Sequence, residues 1–287
     1  MAYAHLISVD ELQALQAGGA PRMVFDCSFD LADPAKADAL FADKHIAGAV
    51  QAHLDRDLSA HHPAQAVNGG RHPLPTRERF ASWLSRLGFD NTMQAVVYDR
   101  NGANYAGRLW WMLKWAGHDA VALLDGGLQA WEAAGGALAS GAAPAAVAPG
   151  NFVLKPPLRR LALLDDVVQA LGQPTQTLID ARGALRYRGE VEPLDPVAGH
   201  IPGALNRPFT ENFGADGRFK PREQLKAEFD VLLAGRDAAG VVHHCGSGVS
   251  AVPNVLAMEL AGHPPVALYA GSWSEWSRRP GLPVARG

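Results

Sequence analysis

His243-His244-Cys245-Gly246-Ser247-Gly248-Val249-Ser250-Ala251 follows the apolar run Ala238-Ala239-Gly240-Val241-Val242. The run is short and ends on valines, so it reads as a buried strand that delivers a cysteine into a loop of small residues. From about Val252 the pattern turns helical, with Val255, Leu256, Met258, Glu259 and Leu260 following. Such a loop lets successive backbone N–H groups point at the cysteine sulfur. The next helix adds the positive end of its dipole. Both effects favour a thiolate over a thiol, and the thiolate is the nucleophile.

The same stretch has a counterpart in the first half of the chain. Val96-Val97-Tyr98-Asp99-Arg100-Asn101-Gly102 aligns without gaps on Val241-Val242-His243-His244-Cys245-Gly246-Ser247, an offset of 145 residues. The register continues through Gly117-His118 on Gly262-His263, Leu123 on Leu268, Gly126 on Gly271 and Trp131 on Trp276. Upstream, with small gaps, Phe25-Asp26-Cys27 matches Ile179-Asp180-Ala181, and His45-Ile46-Ala47-Gly48-Ala49-Val50 matches His200-Ile201-Pro202-Gly203-Ala204-Leu205. One fold is therefore expected twice. Arg100 stands where the second half has Cys245, so one half reads as catalytic and the other as supportive.

Each half alternates short apolar strands with amphipathic helices. Met23–Asp26, Ala95–Tyr98 and Ala120–Leu124 are the expected strands of the first; Thr177–Asp180, Gly240–His243 and Val266–Tyr269 are those of the second. Helices are expected over Arg77–Leu87 and Arg222–Leu233. This alternation predicts an α/β protein of two tandem domains, each a mainly parallel sheet flanked by helices. The Ala-, Pro- and Gly-rich stretch from Leu138 to Pro149 has linker composition. The expected domains are 1–140, without the catalytic cysteine, and 159–287, with it, joined by a linker over 141–158. Ligands of such sheets gather at the carboxyl ends of the strands, where Cys245 lies.

A chain of 287 residues, 48% apolar and 19% charged, has room for two such cores. With a net charge of −3 and no long basic run, neither nucleic acid nor an anionic membrane is an expected partner. No apolar run reaches membrane-span length. Met1-Ala2-Tyr3-Ala4-His5-Leu6 does not begin a secretory signal pattern. Two cysteines make no disulfide framework, and a thiol that must cycle suits a reducing cytoplasm, the expected location.

An aspartate-ended first strand, the His-Ile-Pro-Gly-Ala turn, Cys-Gly-Ser-Gly-Val-Ser and a Gly-x-x-x-Trp ending together resemble the two-domain rhodanese superfamily of sulfurtransferases, over essentially the whole chain. Cys245-Gly246-Ser247-Gly248-Val249 is similar to the 3-mercaptopyruvate sulfurtransferase branch, since thiosulfate-specific rhodaneses typically carry Arg-Lys after the cysteine. The resemblance implies a Cys245 persulfide formed from a small anionic donor and passed to a thiol, thioredoxin or cyanide, without metal or organic cofactor. It implies a Ser247-His72-Asp57 proton relay, with His72 and Asp57 drawn from the first domain. It further implies donor contacts from the loop residues Gly246, Gly248, Val249 and Ser250, and from Arg186 as the carboxylate binder.

The chain departs from that branch at Asp195, where a second arginine often stands nine residues after Arg186. Arg188 or Arg207 would have to substitute. Arg182 is expected to brace the end of the Asp180 strand, His45 and His200 to be structural because both halves have them, and Cys27 to be structural. His243, His244 and Cys245 cannot all face one metal ion, because neighbours on a strand point to opposite faces, and His61-His62 has no spaced partner. Three alternatives stay open: thiosulfate as the principal donor, a non-catalytic sulfur carrier, and a phosphatase. The last reading is weakened by Ala251, which stands where His-Cys-x5-Arg phosphatases place their phosphate-clamping arginine.

Overall fold

The computed structural model describes residues 2–142 and 148–287. These divide into two units. One comprises Met1–Gln65, Pro75–Leu158 and Ala215–Arg218; the other comprises Ala66–Leu74, Arg159–Gly214 and Phe219–Gly287.

The first unit is built on a five-stranded parallel sheet. Across it run Leu6–Ile7, Val121–Leu124, Gln94–Tyr98, Arg22–Asp26 and Val50–Gln51. In the second unit the order is Arg160–Ala162, Ala267–Tyr269, Val241–His244, Thr177–Asp180 and Leu205–Asn206, again all parallel. Strand for strand this is the same topology, so the repeat read in the sequence is a repeat of the fold. The central strands Gln94–Tyr98 and Val241–His244 are buried at every residue. Burial on both faces explains why neither alternates apolar and polar residues.

The helices follow local chemistry. Val9–Ala17 starts at a capping box in which the Ser8 hydroxyl accepts from the Glu11 N–H and the Glu11 carboxylate accepts from the Ser8 N–H. Arg77–Arg86 is capped by Thr76, and Arg222–Leu233 begins after Pro221. Val252–Leu260, the helix after the cysteine loop, carries Pro in its first turn and buries nearly every residue. None of the described helices is long and apolar enough to cross a membrane.

Two segments do not follow the expected partition. Residues 143–147 of the expected linker lie outside the described residues, but 148–158 is part of the first unit's body. There the Gly150 and Phe152 N–H groups donate to the Ser85 carbonyl and hydroxyl at 2.8 and 3.0 Å. The buried Phe152 ring packs 5.8 Å from Phe89. One aromatic anchor is enough to make a stretch of linker composition a packed edge. Ala66–Leu74, expected within 1–140, clusters with the second unit instead, and this decides the composition of the site.

Both His-Ile turns are structural. His45 stacks on Phe41 at 3.9 Å and bonds its carbonyl through Nδ1 at 2.8 Å. His200 does the same on Tyr187, at 3.8 and 2.8 Å.

Candidate active site

Cys245 leaves the carboxyl end of the central strand Val241–His244, is buried, and opens a loop that enters the helix at Val252. Its position is set from beneath. The Cys245 N–H donates to the Ser272 hydroxyl at 3.1 Å, and that hydroxyl donates to the Tyr269 carbonyl at 2.9 Å. The Cys245 and Gly246 carbonyls accept from the Trp273 and Ser274 N–H groups at 3.0 and 2.8 Å. Ser272 holds a left-handed backbone at φ 55°, strain of a kind kept where a site needs it. Sequence reading missed this residue. The signal was the repeat, because Gly127 occupies the same register at φ 59°.

Gly248 is left-handed at φ 73°, and a side chain there would run into the Ala270 backbone. Its counterpart Ala103 is also left-handed, at φ 60°. The two loops therefore share a course, and the first unit shows what that course is suited to hold. Asp99, in the register of His244, places its carboxylate inside the loop. Oδ1 accepts from the Asn101 and Ala103 N–H groups at 2.8 and 3.0 Å, and Oδ2 from those of Tyr105 and Ala106 at 2.8 and 2.9 Å. Burial pushes the Asp99 carboxyl up, and the four N–H bonds oppose that push. The corresponding positions in the second unit are Gly246, Gly248, Ser250 and Ala251. There the register of Asp99 holds His244 instead of a carboxylate. Arg100, in the register of Cys245, is spent on structure: it donates to the Leu40 carbonyl at 2.8 Å, to the Lys44 carbonyl, and to Ser28.

Ser247 and His72 come together. Both are buried, with Ser247 Oγ and His72 Nδ1 2.7 Å apart. The approach depends on the three residues before His72. The Gly69 N–H donates to Glu275 at 2.8 Å, the Arg71 N–H donates to the Ser274 hydroxyl at 2.9 Å, and Gly70 sits at φ 93° against Gly271 and Ser274, where no Cβ fits. Asp57 belongs to the first unit. Its carboxylate accepts there from the His53 N–H at 2.9 Å and lies 3.4 Å from Arg56.

The charged groups around the loop differ from the expected set. A Cβ at Gly246 would stand 3.1 Å from Arg71 Nη2 and 3.5 Å from Arg186 Nη1. Arg186 is thus at the loop, and its Nη2 is held by Glu192 at 2.6 Å. Arg188 is not its companion there; it pairs with Glu190 on the surface. Neither is Arg207, which is buried against Asn212 and Glu228 with its guanidinium 4.3 Å from the Phe229 ring centre. The second guanidinium at Gly246 belongs to Arg71, which the sequence did not single out. Arg182 braces the strand end, as expected: it forks onto Asp180 at 2.7–3.1 Å, reaches Glu192 at 3.2 Å and lies over Trp273. Burial disfavours the Asp180 carboxylate, but His244 and Arg182 outweigh it and hold the pKa low. Burial likewise pushes His243 down to about 3, so that ring is neutral filling of the core beside Met258. Ala251 is buried and supplies no phosphate clamp.

Comparison with known proteins agrees with this architecture. The Rhodanese-like domain model matches residues 8–134 and 163–279. The chain belongs to the rhodanese-like family and carries its domain twice. It is 46% identical to a probable 3-mercaptopyruvate sulfurtransferase of Pseudomonas aeruginosa, over the whole of both chains. It is 40% identical to a putative thiosulfate sulfurtransferase of Mycobacterium tuberculosis, over 98% of this chain and 97% of that one. Among solved structures it resembles SseA of Escherichia coli, described as a 3-mercaptopyruvate sulfotransferase, with a TM-score of 0.80 and 32% identity over 95% of this chain and all of that one. This is a sulfur-transferring enzyme, and the phosphatase reading falls away.

Proposed function

We propose that the enzyme takes sulfur from 3-mercaptopyruvate and passes it on through a Cys245 persulfide. The observation that carries this reading is a buried cysteine opening the loop that also holds the Ser247–His72 pair and the Arg186 guanidinium. The Cys245 thiolate attacks the donor sulfur, forming a sulfur–sulfur bond while the donor's carbon–sulfur bond breaks. The electron pair stays on carbon as the enolate of pyruvate, which takes a proton delivered along the Ser247–His72 pair. The outer sulfur of the persulfide is then attacked by a thiol, a thioredoxin dithiol or cyanide, and Cys245 leaves as the thiolate. This is a two-stage covalent scheme. The role given to Asp57 by resemblance belongs to the same proposal and is tested by Asp57→Asn. A reducing cytoplasm suits a thiol that must return to its reduced state in every cycle.

Gly246 and Ser247 carry no charge and little bulk, which leaves space for a 2-oxo acid. Mercaptopyruvate is expected to exceed thiosulfate in kcat/KM by roughly tenfold or more, about 1.4 kcal/mol of differential transition-state binding. Steady-state thiocyanate formation from each donor, with cyanide as acceptor, decides this. A wild type that prefers thiosulfate would leave the persulfide chemistry standing but reverse the donor assignment.

Arg186→Ala should raise KM for mercaptopyruvate, with kcat changing less. A charge-assisted hydrogen bond of about 1.5–3 kcal/mol corresponds to a factor of roughly 10 to 160. An unchanged KM would remove Arg186 from the donor site.

A further inference from the structure

This inference rests on the sulfurtransferase reading and concerns how that site holds its donor. The Asp195 side chain is wholly buried, a condition a carboxylate tolerates only when it is paired and hydrogen-bonded. Three guanidinium groups meet it: Arg71 Nη1 at 2.8 Å, Arg278 Nη1 at 3.1 Å and Arg186 Nη2 at 3.4 Å. Two of the three also reach the catalytic loop, since Arg71 Nη2 and Arg186 Nη1 are the nearest groups to a Cβ built on Gly246. In each fork one terminal nitrogen is spent on the carboxylate and the other is left at the loop. The Arg71 Nε is buried and has no acceptor among the described residues. The backbone of Arg71 is fixed by its N–H bond to Ser274, and the next residue is His72, on Ser247.

We propose that Arg71 is the second guanidinium of the donor site, and that Asp195 is a positioning residue that ties Arg71 to Arg186. The pair forms a clamp for the carboxylate end of a 2-oxo acid, with the donor's sulfur towards Cys245. An aspartate in this place is then no loss of binding power. It converts one side-chain cation into an anchor for another, delivered by a segment far away in sequence. Two planar forks suit a planar carboxylate better than two ammonium groups would.

The test uses the full-length enzyme with mercaptopyruvate and cyanide. Arg71→Ala is expected to raise KM roughly tenfold or more, with kcat within about threefold of wild type, as loss of a uniform binding contact predicts. Arg71→Lys keeps the charge without the fork and should recover part of that loss. Asp195→Asn should raise KM by a smaller factor, because both arginines remain but are no longer tied. Pyruvate provides a reading independent of mercaptopyruvate turnover: its inhibition constant, measured against thiosulfate as donor, should weaken in Arg71→Ala by about the same factor as KM. Unchanged KM and unchanged pyruvate inhibition in Arg71→Ala would overturn the proposal. So would a fall in kcat at constant KM, which would mean that Arg71 acts only by holding His72. A wild type that takes no sulfur from mercaptopyruvate would defeat the functional reading instead, and the pyruvate measurement would still decide the role of Arg71.

Discussion

Cys245→Ser is expected to abolish sulfur transfer from either donor, while Cys27→Ser leaves it largely intact. Both cysteines are buried and each directly follows a strand of its parallel sheet, so burial alone does not separate them. Their surroundings do. Burial pushes the Cys27 thiol far up, and the nearby carboxylates of Asp99, Asp26 and Asp57 push it further. That cysteine stays protonated at neutral pH and behaves as a small apolar side chain. Cys245 instead opens the loop that carries Ser247, paired with His72, and has the Arg71 and Arg186 guanidinium groups beside Gly246. A serine there keeps the shape but cannot form a persulfide. The check is thiocyanate formation, together with a mass gain of ~32 Da on the peptide that carries Cys245 after incubation with donor alone. Equal loss from both substitutions, with both proteins folded, would sink the assignment. Loading of sulfur without turnover would favour a carrier over an enzyme.

His72→Ala and Ser247→Ala should each lower kcat with mercaptopyruvate by a factor of roughly 10² to 10⁴, the usual value of a positioned proton donor. Thiosulfate turnover should suffer much less. When thiosulfate gives up its outer sulfur, a sulfur–sulfur bond breaks and sulfite leaves as a stable anion. Mercaptopyruvate leaves as an enolate that must be protonated on carbon. The ratio of the two activities therefore isolates the Ser247–His72 pair from general damage to the loop. If both donors lose activity equally in both variants, the pair is structural, and its 2.7 Å contact only seats the segment on the loop.

The strands around Cys245 were legible because their chemistry is local. A continuous apolar run, a cluster of Gly and Ser, and a helical period follow one another within twenty residues, and each has its own signal. The repeat doubled that signal and identified Arg100 and Cys245 as occupants of one register. The linker expected over 141–158 misled for the opposite reason: over 148–158 the buried Phe152 and a few backbone bonds tie the chain to the first unit, and such contacts leave no period.

What the amino-acid sequence determined by itself was the fold class and its duplication; it also singled out Cys245 as the candidate nucleophile and likened Ser247, His72 and Arg186 to a sulfurtransferase site. All of these rest on short motifs or on a regular offset. Only the tertiary structure decided which cations stand at the loop. Asp195 read as a missing charge, yet it is the buried anchor of Arg71, 124 residues away in the chain. Ion pairs between distant segments carry no spacing rule, because their strength depends on burial and on the approach of two side chains in space. The bond by which Ser272 holds the Cys245 N–H across 27 residues is likewise set by the sheet, which brings the two loops together.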